Sequence, residues 1–255
     1  MKTPVIDRAL AKKVLEVVDA GLTQGAGSPE PGRMCVEAAV CFAMGLPHSD
    51  NPPCVGSAVR AYKIRLNDAS WSSNEARAAG MRQVAIAQLG SDKIDQKVFA
   101  EYVAEQTIRR IVPLALRAAA KLNPKFAERL EASAVRCEQE GTEQSAVAAA
   151  ADAANAAANA AANAADAAVA AAAYDAADAA AYAANAAYAA TNAANCAANA
   201  AANAAAAYAA YAANCAATNA ADAARNKILS IGALIAVEAL VKLGSEGAKF
   251  LDLAA

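Results

Sequence analysis

Apolar positions recur at three- and four-residue spacing along most of the chain, and no stretch alternates with the period of two that a half-buried strand requires. The pattern therefore predicts an all-α protein. Its first periodic run (Val5, Ile6, Leu10, Val14, Leu15, Val17, Val18) lies opposite Lys12, Lys13, Glu16 and Asp19, and Thr3-Pro4 supplies a cap and proline for a helix reaching about Leu22. Gln24 to Gly32 is broken by glycine and proline and reads as loop. Met34 to Met44 is an apolar helix ended by Gly45, followed by irregular chain from Leu46 to Gly56. Ser57 to Asn67 forms a helix with a basic face of Arg60, Lys63 and Arg65. Ser72 and Glu75 are spaced as a capping box for a helix reaching Gly90. Ile94 to Leu122 is a longer helix that Pro113 should kink, by deleting a hydrogen bond and crowding the preceding turn. Asn123-Pro124 opens another helix to Glu140, with Gly141 as its C-cap. These elements define an N-terminal helical domain, residues 1–141.

From 142 to 225 the pattern changes to alanine interrupted by Asn, Asp and Tyr, with no glycine or proline between Gly141 and Gly232. Alanine is the best helix former, so the whole tract is expected to be helical. Its polar residues advance by threes and fours, and Asp152, Asn163, Tyr174, Asn185 and Cys196 are each 11 apart, as are Asn192, Asn203 and Asn214. An 11-residue repeat closes three helical turns and collects the polar residues into one stripe. Val147, Val169 and Thr191 share a phase on the opposite face and mark a small-residue seam. One unbroken helix of this length would run for about 120 Å, so the tract must project, oligomerise, or fold back at an Asn, which enters the left-handed region at modest cost. Large apolar residues return at Asn226 to Leu243, with Gly244 as C-cap and a last short helix over Glu246 to Leu253. These C-terminal helices, 226–255, are expected to dock on the N-terminal domain, which favours a fold-back hairpin over a free rod.

Composition narrows the function. The net charge of −2 gives no global attraction to nucleic acid or anionic membrane. Ile228 to Leu243 is too short and carries Glu238 and Lys242, so no membrane span is expected. The first residues form a charged amphipathic run without the apolar core of an export signal, so the six cysteines read as reduced thiols in a cytoplasmic protein. The sharpest local constellation is Cys35, Cys41, His48, Asp50 and Cys54. Cys35 sits near a helix start, where the dipole lowers a thiol pKa. A Cys–His nucleophilic pair and a zinc site from Cys35, Cys41, His48 and Cys54 are both open, beside the simpler reading of cysteines packed as small hydrophobes. Arg60, Lys63 and Arg65, with Arg77 and Arg82, are candidates for phosphate binding, beside the simpler reading of a solvated face. Phosphate-binding glycine loops, the HExxH pattern and a nucleophile elbow are all missing, and neither a metal nor a cofactor is expected.

That leaves the tract as the candidate functional surface. Tyr174, Tyr182, Tyr188, Tyr208 and Tyr211 offer contact area at low entropic cost, and Asn185, Asn192, Asn203 and Asn214 offer hydrogen bonds to a protein partner or to a second copy. A low-complexity expansion that merely forms a stable helix, and a polar array that orders water, are the competing readings. The tract resembles the Ala-rich type I antifreeze helices of fish in its 11-residue repeat. Beyond Ser145 it carries only Thr191 and Thr218, 27 apart, with Asn and Tyr in the stripe, so no ice-binding residue is carried over. The chain as a whole resembles a group of uncharacterised bacterial and phage proteins. The resemblance rests on MCVEAAVCFAMGLPH, RLNDASWSSNEAR, an Ala-Asp-Ala-Ala-Tyr type of tract, and IAVEALVKLGSEGAKFLDL. Some proteins with such tracts are labelled toxin-immunity factors, which implies stoichiometric binding to a protein. The expected function is therefore non-enzymatic protein binding or assembly, with an ice- or surface-binding helix and a Cys/His hydrolase or zinc site as alternatives.

Overall fold

Asp7 opens the first helix by accepting a hydrogen bond from the Leu10 amide at 2.8 Å. The computed structural model describes residues 5–122, 124–162, 174–183, 185 and 222–255, so Thr3 and Pro4 lie outside the described residues. Helix α1 (Arg8–Asp19) ends where Gly21 takes a φ of 114°, three residues earlier than the pattern predicts. Next come α2 (Val36–Ala43), α3 (Ser57–Asn67), α4 (Asn74–Ala87), α5 (Gln96–Arg110), α6 (Val112–Leu122), α7 (Ala127–Glu140) and α8 (Glu143–Ala162). A helical segment at 174–183, α9 (Asp222–Lys242) and a 3-10 stretch (Glu246–Ala254) complete the described chain. Among the described residues the structure is all-α, and the sole β feature is a bridge between Gly27 and Met34.

Other helix boundaries also differ from the sequence reading. Ser73, not Ser72, caps α4, accepting from the Ala76 amide at 3.1 Å. Ser72 is instead held by Asn226 of α9, which accepts from its amide at 3.0 Å and donates to its hydroxyl at 2.6 Å. The 94–122 stretch is broken into two helices at Ile111 rather than kinked: Asp95 caps α5 through the Lys97 and Val98 amides, and Pro113 sits second in α6. In a first turn the proline's missing N–H costs nothing, so a new helix is the cheaper solution. Asn123 lies outside the described residues, and Pro124–Phe126 forms a 3-10 turn before α7. Gly141 does end α7, with φ 62° and its N–H on the Cys137 carbonyl. Thr142 and Ser145 then start α8 reciprocally, each hydroxyl accepting from the other's amide at 3.2 Å.

Burial sorts these helices into two clusters that cross the compositional boundary at 141. The first joins α1 to α5 with α9 and the C-terminal 3-10 stretch around Tyr62, Trp71, Met81 and Phe99. Tyr62 and Phe99 meet edge to face at 6.2 Å, and the Tyr62 hydroxyl donates to the Gly232 carbonyl of α9 at 2.9 Å. Leu229, Ile235 and Leu240 of α9 are fully buried in this cluster. Gly247 lies so close to α4 that a Cβ there would collide with the Ile86 carbonyl, and its own N–H reaches the Leu89 carbonyl at 2.7 Å. The second cluster holds Ile108, Val112, Leu116, Leu130 and Cys137 together with the tract alanines.

The tract's contribution is made by backbone proximity rather than by large side chains. Ala146, Ala149, Ala153 and Ala156 of α8 are fully buried, and so are Ala176, Ala179, Ala180 and Ala183 of segment 174–183 in the same cluster. A straight helix continuing from α8 would carry Ala176 about 30 Å beyond Ala156. The shared cluster instead sets segment 174–183 against the same residues as α8. In α8 the proposed seam is not the buried face, since Val147 is 53% exposed and the buried alanines there lie a quarter-turn and more away; Ala180, at the same 11-residue phase in segment 174–183, is fully buried, and Val169 and Thr191 lie outside the described residues. None of the described helices is long and apolar enough to cross a membrane.

Candidate functional site

Within the tract, the polar stripe is split between inward and outward directions. Asp152 turns toward α7, where Arg129 donates to one carboxylate oxygen at 2.6 Å and the Ser133 hydroxyl donates to the other. Tyr182 is half-buried against the second cluster. Asn155, Asp178 and Asn185 are exposed, and Tyr174 is 51% exposed although the alanines that follow it are buried. Half-burial raises the Asp175 carboxyl above its ordinary range, and the nearby Asp178 charge adds to the shift. Of the remaining candidates, Tyr188, Tyr208, Tyr211, Asn192, Asn203 and Asn214 lie outside the described residues. What the structure does place is an outward surface carrying Tyr174, Asp178 and Asn185, on a segment whose buried alanines share the second cluster with residues of α6, α7 and α8.

Cysteine chemistry takes a different form from the one the pattern suggests. Cys35 is indeed at a helix start: its sulfur caps α2, accepting from the Ala38 amide at 3.4 Å. Burial outweighs those amides and raises its pKa instead of lowering it. The Cys41 thiol is pushed up to about 11 by burial, and Cys54 is raised for the same reason while its sulfur meets Met44 Sδ at 3.7 Å. His48 and Asp50 are exposed on the following loop, whereas Cys35, Cys41 and Cys54 are buried. No three or more His, Cys, Asp or Glu side chains form a metal-holding group among the described residues.

The basic face is also dismantled. Lys63 is completely buried, and Arg77 is 5% exposed, donating to the carbonyls of Asn67 (2.7 Å) and Leu22 (3.3 Å) and to the Asn74 side chain. Arg82 pairs with Asp19 at 2.8 Å, which leaves Arg60 half-buried and Arg65 exposed. The solvated-face reading therefore holds for Arg65 and in part for Arg60 but not for Lys63 or Arg77, because helical phase alone does not say which side of α3 meets the core.

In place of that face stands a buried ion pair that the sequence reading missed. Lys63 Nζ of α3 lies 2.9 Å from Glu37 Oε1 of α2, and both side chains have zero exposure. Beyond that contact neither has a hydrogen-bond partner among the described residues. Burial raises the Glu37 pKa and lowers that of Lys63, each opposed by the other's charge. A signal was present: Glu37 is the only charged residue from Met34 to Met44, and an apolar helix buried all round must bury its one carboxylate too. A small cavity lies beside it, lined by Cys35, Glu37, Asp50, Asn67 and Asp68 among others. No family profile, curated protein or solved structure matches the chain.

Proposed function

We propose that this chain is a non-enzymatic binding or assembly protein that acts through the outer surface of its Ala-rich tract. The observation that supports this best is the division of labour within segment 174–183. Its alanines are buried against the helical body, while Tyr174 stays half-exposed on the outside. A large aromatic held outward by an anchored helix has little entropy to lose on binding. An immunity-like role, in which the surface covers a protein partner stoichiometrically, is the specific form this reading takes. The buried thiols with raised pKa values, remote in exposure from His48, give a cysteine nucleophile no support. The inward turn of Asp152 likewise gives no support to a continuous polar array for ice.

The test is association measured by sedimentation velocity over a wide concentration range, for the native chain and for Tyr174→Arg and Asn185→Arg. Self-assembly through the tract is expected to weaken roughly tenfold in either variant, equivalent to about 1.4 kcal/mol, with unchanged helicity. A native chain that stays monomeric at high concentration removes the self-assembly form and leaves a different protein as partner. Ice recrystallisation inhibition by the native chain would replace this reading with the surface-binding one.

A further inference from the structure

The Glu37–Lys63 pair raises a question of solvation. Two fully desolvated charges in one contact cost several kcal/mol each unless their remaining donors and acceptors are met. Here Glu37 Oε2 and the other N–H groups of Lys63 have no partner among the described residues. The cavity beside α2 has about 40 Å³ of room, and Glu37 is among the residues that line it. Of its other polar walls, Asn67 and Asp68 are already engaged, and the exposed Asp50 carboxylate adds a further acceptor. Asn67 accepts from the Val36 amide and donates to the Thr23 carbonyl and to Asp68, and Asp68 accepts from the Gly25 amide at 2.8 Å.

We propose that this cleft, where the Gly25–Ala26 turn meets the start of α2, is an internal water site whose waters hydrogen-bond the Glu37 carboxylate and keep the Glu37–Lys63 pair charged. Size argues for water, since one water needs roughly 10–15 Å³ of such space and the cleft therefore takes two or three. Chemistry argues the same way. The walls present carboxylate oxygens and so call for a donor, while Lys63 already neutralises Glu37 and no metal-holding group is present among the described residues. The opposing arrangement is a dry cleft in which the proton moves from Lys63 to Glu37, leaving a neutral carboxylic acid beside a neutral amine.

The two arrangements differ in an observable. The infrared difference between the native chain and Glu37→Gln at neutral pH is expected to show carboxylate bands for the native chain beside the amide bands of the new glutamine; a protonated-carboxyl band overturns the proposal. If Glu37→Gln does not fold, glutamate labelled with carbon-13 at the carboxyl reports the same charge state in the unaltered chain. A high-resolution crystal structure is expected to show ordered water within hydrogen-bond distance of Glu37, and a cleft without ordered water refutes the site even if the pair is charged.

Discussion

Removing one member of a buried ion pair leaves the other as an unpaired charge in the core, whereas removing both leaves only a packing problem. Lys63→Met is therefore expected to lower unfolding free energy by about 3 kcal/mol, and Glu37→Met with Lys63→Met to recover most of that loss. Urea titration of the three proteins measures it; equal loss in the single and double variants would mean that shape, not charge, holds α2 to α3. The thiols give a second prediction at this scale. Cys41 has its pKa raised from 9.0 to about 11, so the folded chain keeps a proton that the unfolded chain releases. The associated stability is fully present below pH 9 and is lost as pH rises toward 11, so unfolding midpoints should fall across that window. Cys41→Ala should flatten the fall. Cysteines packed as small hydrophobes were among the sequence readings, and Glu37 stood out as the lone charge of an apolar helix; its pairing with Lys63 was not legible, because spacing along the chain does not say which side of α3 meets α2.

Elements were more legible than residues, and the exceptions have local causes. Pro113 was visible as a break, but only competition between continuing a damaged helix and starting a new one decides that α5 and α6 are separate. Ser72 and Ser73 are equally good caps by type, and the choice fell to Ser73 because Asn226 engages Ser72 from α9. The junction of α7 and α8 depends on one side chain that no local pattern marks. Arg109 of α5 donates to the carbonyls of Glu138 (2.8 Å), Gln139 (2.7 Å) and Glu140 (2.9 Å), meeting orphan acceptors at the end of α7. Arg109→Ala is expected to cost about 1–2 kcal/mol. Gly141→Ala should cost more than about 1 kcal/mol, since its φ is 62° and a Cβ there would lie 2.5 Å from Arg109 Nε. Because both act on the same clamp, their effects should not add, which thermal unfolding of the double variant checks. Between α6 and α7, Arg117 pairs with Glu131 and Glu138 and holds the Glu138 carboxyl below its ordinary range. That contribution is present above the ordinary carboxylate pKa and disappears as pH falls through the depressed one. With all three side chains a third or more exposed, its loss should amount to less than about 1 kcal/mol.

Across the whole molecule, composition and packing divide the chain at different places. The alanine tract begins after residue 141, yet the cluster it joins also takes Ile108, Val112, Leu116 and Leu130 from α5, α6 and α7. The division follows from area: alanine faces bury too little surface to form a core alone, so they recruit the nearest large side chains. Helicity was legible in the tract because propensity is local, whereas the direction of the stripe depends on neighbours such as Arg129 and Ser133 that lie outside it. The unequal clusters should also differ in stability. The first contains Tyr62, Trp71, Met81 and Phe99 and is tied at its end by Arg8 with Asp252 and Lys93 with Glu246; the second is mostly alanine. They meet at the α5–α6 junction, where Ile108 belongs to the second and Ile111 to the first. The second cluster is therefore expected to open first as denaturant is added. Cys137, buried in it, reports that opening; Cys35 and Cys54, buried in the other, report the rest. Pulsed thiol labelling read by peptide mass should modify Cys137 at lower urea concentration than Cys35 or Cys54, and Ala153→Glu should widen the gap by opening the second cluster alone. Simultaneous labelling of all three in both proteins would show instead that the junction makes one cooperative unit of the two clusters.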